Sequence, residues 1–223
     1  MFRANAPLIL ALGLVAFAAC SVGQEASEPQ AKEGVDKKVP EKDAPDKSRE
    51  AVEAWLNSVS EGKQYSPPPK IALVDESVRS FFPEDRFYSI CYMRYPRAIK
   101  PPESLKLENL VRVRPDASVE RVESIDALKK LVEKKLEQVT TEDQARIALH
   151  ACLRLAEEFY QDGFYTFALP QDSIAIMRNE NRIVATGKAV VTKGGQGEIS
   201  VTLTTGANTV AIAGKVRPDV RLR

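Results

Sequence analysis

Val52, Trp55, Leu56 and Val59 recur at i, i+3, i+4 and i+7, the apolar stripe of an amphipathic helix. Ser48 or Asp46 can cap its start, and Gly62 suits its end. Ser66-Pro67-Pro68-Pro69 then excludes regular structure. Phe87–Tyr95 (FYSICYMRY) is aromatic-rich and bounded by Pro83 and Pro96, which predicts a strand. Both of its faces are partly apolar: Phe87, Cys91, Met93 and Tyr95 on one, Tyr88, Ile90 and Tyr92 on the other. Leu110–Val113 and Val119–Val122, around Pro115-Asp116, predict a hairpin.

Two helices follow. Ile125, Leu128, Val132, Leu136 and Val139 make one stripe, with Lys129, Lys130, Glu133, Lys134 and Glu137 toward water. Thr141 with Gln144 three residues on is a capping-box pattern. The helix it opens runs to Tyr160 and gathers Ala145, Ala148, Leu149, Cys152, Ala156 and Phe159 on one face. The remainder is β: Ser173–Met177, Arg182–Thr192, Gly197–Thr205 and Thr209–Val216, separated by Asn179-Glu180-Asn181, Lys193-Gly194-Gly195-Gln196 and Gly206-Ala207-Asn208. Such regular turn chemistry predicts an antiparallel meander. Its inward positions are read as Ile174, Ile176, Val184, Val190, Ile199, Val201 and Leu203, an aliphatic set that closes a core.

The fold class is therefore α+β, a meander packed on a long helix, preceded by a helix, a strand and a hairpin. A long helix leading into an antiparallel meander resembles the cystatin-like and NTF2-like folds, over about residues 141–216. Gln161-Asp162-Gly163-Phe164-Tyr165, just before the meander, resembles an exported protein family abundant in planctomycetes; that resemblance carries no activity with it. Asp85-Arg86-Phe87-Tyr88-Ser89 echoes Asp162-Gly163-Phe164-Tyr165-Thr166, a similarity that chance explains better than duplication.

The N-terminus adds an address. Arg3 precedes an apolar run, Leu8–Phe17, that is shorter than the ~20 residues of a membrane span. Phe17-Ala18-Ala19-Cys20 resembles the lipobox of bacterial lipoproteins, with Phe17 where that family usually has Leu. The resemblance implies diacylglycerol on Cys20, a membrane-anchored protein of the cell envelope, and a mature chain starting there. Ser21 favours the outer membrane over the inner. Ordinary cleavage after Ala16-Phe17-Ala18 is the alternative. Residues 20–47, rich in Glu, Lys, Asp, Pro and Ala, bury too little to order themselves and read as a linker. Residues 48–223 then form one α+β domain, with a subdivision near 140 as the alternative.

Charge and motifs exclude more than they assign. Lys+Arg number 32 against 31 Asp+Glu, a formal net charge of +1, which argues against nucleic acid as a partner. Lys215, Arg217, Arg221 and Arg223 make a solvated basic tail. His150, the single histidine, stands four residues from both Arg146 and Arg154, without the carboxylate orienter a catalytic base wants. No residue is assigned as catalytic or metal-binding, and no cofactor is expected. Asp85, Asp162 and Asp172 beside aromatic strands are the first places to search for a polar pocket.

Two candidates remain in the folded part. Cys91 and Cys152 would share an oxidising compartment, and a bridge closing about 60 residues would contribute roughly 3–4 kcal/mol; two buried thiols are the alternative. Tyr88, Tyr92 and Arg94 share one strand face, a candidate surface for an envelope protein partner provided no layer covers it. The functional expectation is a lipid-anchored, non-catalytic binding or assembly module. The alternative is a hydrolase or isomerase with a small pocket inside an NTF2-like sheet.

Overall fold

The structure, a computed structural model, describes residues 47–60, 68–92, 108–161 and 165–218. Cys20, the leader and most of the linker lie outside the described residues, as do Met93, Arg94, Tyr95, Asp162, Arg221 and Arg223. In chain order the elements are α1 (Lys47–Val59), β1 (Lys70–Leu73), α2 (Glu76–Phe81), β2 (Arg86–Cys91), β3 (Glu108–Val113) and β4 (Val119–Arg121). Then come α3 (Ile125–Leu136), α4 (Glu142–Tyr160), β5 (Thr166–Ala168), β6 (Ala175–Asn179), β7 (Arg182–Lys193), β8 (Gly195–Thr204) and β9 (Thr209–Pro218). The fold is α+β, with two antiparallel sheets.

The first sheet has the order β1-β2-β3-β4. Its register pairs Lys70 with Cys91, Ala72 with Ser89 and Tyr88 with Val111. Because side chains alternate along a strand, Phe87, Ser89 and Cys91 face one side, and Tyr88 and Ile90 the other. Both sides are covered. On one, Val52 and Leu56 of α1 pack against Tyr88, Ile90, Tyr92, Val111 and Val113. On the other, Phe87, Leu110 and Val122 join α2, α3 and α4 in the main core.

The second sheet runs β5-β7-β8-β9, with β6 also paired to β7. Its inner face presents Ile183, Ala185, Ala189, Ile199, Val201, Leu203, Val210 and Ile212 to α4 and α3. The layers are thus α1, first sheet, the helices α2, α3 and α4, and second sheet. This arrangement of meander on helix is compatible with the cystatin-like and NTF2-like comparison. The inward set on β7 is shifted by one position from the expected Val184 and Val190. Ile183, Ala185, Gly187, Ala189 and Val191 point inward, whereas Val184 is half-exposed and Val190 exposed. Close approach of the helix explains this. A Cβ on Gly187 would stand 2.9 Å from Leu153 Cδ1 and 3.2 Å from Leu149 Cδ2, so β7 needs its small residues on that face.

Local chemistry sets the helix starts. Thr141 Oγ1 accepts from the Gln144 N–H at 3.2 Å, and Gln144 Oε1 accepts from the Thr141 N–H at 3.2 Å, closing the capping box on α4. Ser124 Oγ accepts from the Ala127 N–H on α3, and Asp75 Oδ1 from the Ser77 N–H on α2. These bonds satisfy donors that a helix N-terminus leaves orphaned. No helix among the described residues is long and apolar enough to cross a membrane.

Candidate functional site

On α4, Arg154, Glu158 and Gln161 follow i, i+4 and i+7, so they form one polar stripe. It faces the β1–β2 edge of the first sheet, where the register brings Lys70 beside Cys91 and Ala72 beside Ser89. Between helix and edge lies an open cleft of about 330 Å³, lined by these residues together with Leu73, Val74 and Tyr165. Two cations, a carboxylate, an amide and a hydroxyl therefore converge on one space at a helix–sheet junction, polar groups of the kind that orient a ligand in a binding site.

The stripe is held in place from within. Arg154 Nη1 donates to Glu157 Oε2 at 2.7 Å, and Nη2 lies 2.8 Å from Glu158 Oε1. Arg154 Nε is buried without a hydrogen-bond partner among the described residues. Glu157 is almost wholly buried. Burial pushes its carboxyl above the ordinary carboxylate range; Arg154 offsets part of this, and Glu158 and Asp75 add to it. At the end of the helix, Gln161 brackets the next strand. Its Nε2 donates to the Tyr165 carbonyl at 3.0 Å, and its Oε1 accepts from the Tyr165 N–H at 3.0 Å. The Tyr165 ring then packs edge-on against Phe167 and over Gly195, where a Cβ would lie 2.4 Å from its Cε1. Tyr165 is thereby fixed as a wall.

The candidate surface of Tyr88, Tyr92 and Arg94 is corrected. Tyr88 is 1 % exposed, Ile90 0 % and Tyr92 5 %, because α1 lies across that face. Tyr88 Oη shares a 2.6 Å hydrogen bond with Ser48 Oγ near the start of α1. The stripe is core. Arg94 lies outside the described residues.

Cys91 and Cys152 are not joined in a disulfide. Helical geometry gives the reason. The cleft beside Cys91 is reached by Arg154 and Glu158, which sit roughly 160° and 120° around α4 from Cys152. Cys152 turns away and is fully buried, and its thiol is pushed up to about 12 by that burial, which keeps it protonated and unreactive.

Asp85 does not line the cleft. It is buried at 4 % exposure and bonded to Arg112 Nη2, 2.8 Å from Oδ2 and 3.0 Å from Oδ1. Asp172 is exposed in a single 3-10 turn, Gln171–Ser173. His150, one turn before Arg154, is not among the residues lining the cleft. Among the described residues no cluster of three His, Cys, Asp or Glu side chains could hold a metal ion. Sequence reasoning passed over the cleft itself. The Arg154–Glu158–Gln161 spacing was the available signal, but it points nowhere until β1, hidden behind the proline run, is known to be a strand.

A second depression, of about 380 Å³, lies at the end of the second sheet between the α3–α4 junction and the turns around Asn181 and Gly206. Its rim is built from turn residues and helix ends, a less rigid frame than helix against sheet. In comparisons with known proteins, no family model, no curated protein and no solved structure matches the chain.

Proposed function

We propose that this chain is a lipid-anchored binding module of the bacterial cell envelope and that its ligand site is the cleft between α4 and the β1–β2 edge. The observation that carries the reading is the convergence of Lys70, Ser89, Arg154, Glu158 and Gln161 on one open space. Binding needs a few polar groups on rigid elements, and α4 and the first sheet supply them. Catalysis needs a nucleophile or a base with an orienting partner. The carboxylates nearest the cleft are instead spent on Arg154. A hydrolase or isomerase with a pocket inside the meander would place ionisable groups on the concave face. That face carries Ile183, Ala185, Ala189, Ile199, Val201 and Leu203, packed on α4.

The experiment has two arms, both in a producing bacterial cell. A tagged fatty acid is expected to label the full chain and to leave the Cys20→Ala variant unlabelled; equal detergent-free solubility of the two removes the anchor. A photo-crosslinking residue at Ala72, inside the cleft, is expected to yield an adduct that the same residue at Thr186, on the outer face of the second sheet, does not. Identical adduct patterns at both positions would refute the site.

A further inference from the structure

The cleft has one wall of unusual kind, an open sheet edge. Among the described residues β1 is the outermost strand of its sheet. The Val74 N–H donates to the Phe87 carbonyl at 2.8 Å, so Val74, Ala72 and Lys70 point their backbone groups toward β2. By alternation, Ile71 and Leu73 turn theirs outward, to the free edge. Each therefore presents one N–H and one C=O along the rim of the cleft.

Natural sheets blunt such edges with charge, irregularity or a covering group. The edges at β4 and β9 are blunted. β4 is three residues long and carries Glu120 and Arg121. On β9, Glu133 of α3 takes the outward Val210 N–H at 3.4 Å, and Lys215 and Arg217 stand farther along. The middle of β1 carries no charge, only Ile71, Ala72 and Leu73, and Leu73 is 52 % exposed. Beyond Lys70 at its start, three uncharged residues on an edge beside an open polar cleft make an arrangement that accepts a further strand.

We infer that the ligand is an extended polypeptide segment that pairs with β1 as a fifth strand of the first sheet. This rests on the cleft being the binding site. Main-chain bonds to Ile71 and Leu73 hold the segment. Its alternate side chains then fall on two unlike surfaces. Those on the Ala72 side enter the cleft toward Arg154, Glu158 and Gln161, which selects hydrogen-bonding or charged groups. Those on the Leu73 side lie along an exposed leucine, which selects apolar ones. The recognised sequence thus alternates polar and apolar over about four residues, the period of a strand.

The test uses the full chain with Cys20→Ser, against a displayed library of random decapeptides, and the selected peptide is then synthesised. Methylating its backbone nitrogens one at a time is expected to weaken binding at every second position only, by roughly tenfold for each lost bond. Leu73→Pro removes an outward donor without touching the β1–β2 ladder, and the same roughly tenfold loss is expected. Leu73→Ala, which keeps the N–H, should bind the peptide to within about threefold. No selected peptide, or a methylation scan without alternation, overturns the inference whatever the variants do. Should the Ala72 adducts in the cell survive protease digestion at small mass, the cleft binds something other than polypeptide; this inference falls and the cleft reading stands.

Discussion

Ala117 sits at φ 62° in the tight turn between β3 and β4, where its Cβ crowds the following carbonyl. That conformation costs an L-residue roughly 1–2 kcal/mol. The turn is imposed on it from both sides. Asp116 Oδ1 accepts from the Ser118 N–H at 3.0 Å and from its hydroxyl at 2.6 Å, and the Ala117 N–H donates to Arg114 O at 2.9 Å. Ala117→Gly relieves the crowding but adds freedom to the unfolded chain, worth roughly 0.4–1 kcal/mol in the other direction. The expected net is a gain of about 0.5–1 kcal/mol, read as a higher urea midpoint at unchanged slope. The rest of the turn was legible in advance, because Pro115-Asp116 between two apolar runs is turn chemistry. The strain at Ala117 was not, since nothing local marks an alanine for positive φ.

Elements meet here through a few side chains with unequal consequences. Asp85 precedes β2 and Arg112 lies on β3; their ion pair fastens the start of one strand across the sheet to its neighbour. Arg112 Nη1 also reaches Glu120 of β4 at 3.7 Å, and Arg114 Nη2 bonds the same carboxylate at 2.6 Å. Glu120 is half in water, so its pairs contribute little. Asp85 is buried, and removing it strands a guanidinium that has few other acceptors. Asp85→Ala is expected to cost about 3 kcal/mol, and Glu120→Ala less than about 1 kcal/mol, compared by denaturant titration. Equal losses would show that the pairs are equivalent surface contacts. Asp85 attracted attention in the sequence as a polar residue beside an aromatic strand. Its partner, 27 residues on, could not be read from spacing.

At the scale of the molecule, α4 is the layer on which both sheets depend. It meets the second sheet through Leu149 and Leu153, and Tyr160 packs over Gly214, where a Cβ would come within 2.3 Å of the ring. Its other flank carries the polar stripe, and Glu157 lies buried between the two faces. Raised by burial, that carboxyl binds its proton more tightly in the folded protein than in the unfolded chain. The contribution of Glu157 to stability is therefore full below the unfolded carboxylate range and is lost as pH rises through the higher folded value. Arg154, Glu158 and Asp75 are the charged groups acting on it. Glu157→Gln abolishes this titration while the other carboxylates titrate alike in both proteins. The wild type is expected to gain stability relative to the variant as the buffer is taken from neutral to mildly acidic, by urea midpoints. A difference that is flat or of opposite sign would show that the pair with Arg154 outweighs burial.

Local pattern determined a good deal about this protein. The α+β class, α1, α3 and α4, the capping box on α4, the β3–β4 hairpin and the four strands of the meander from β6 to β9 follow from 3.6- and 2-residue periodicity and turn residues, all short-range quantities. Periodicity also showed that both faces of β2 are apolar. It does not say what covers a face, and only packing decided that α1 lies on Tyr88, Ile90 and Tyr92 and turns a candidate surface into core. Packing likewise chose alanine and glycine over valine for the inward side of β7, because α4 approaches too closely for a branched side chain. The four residues of β1 are too few for a period to emerge after three prolines. They become a strand through pairing with β2, and the cleft exists only once that pairing sets an open edge opposite the Arg154–Glu158–Gln161 stripe.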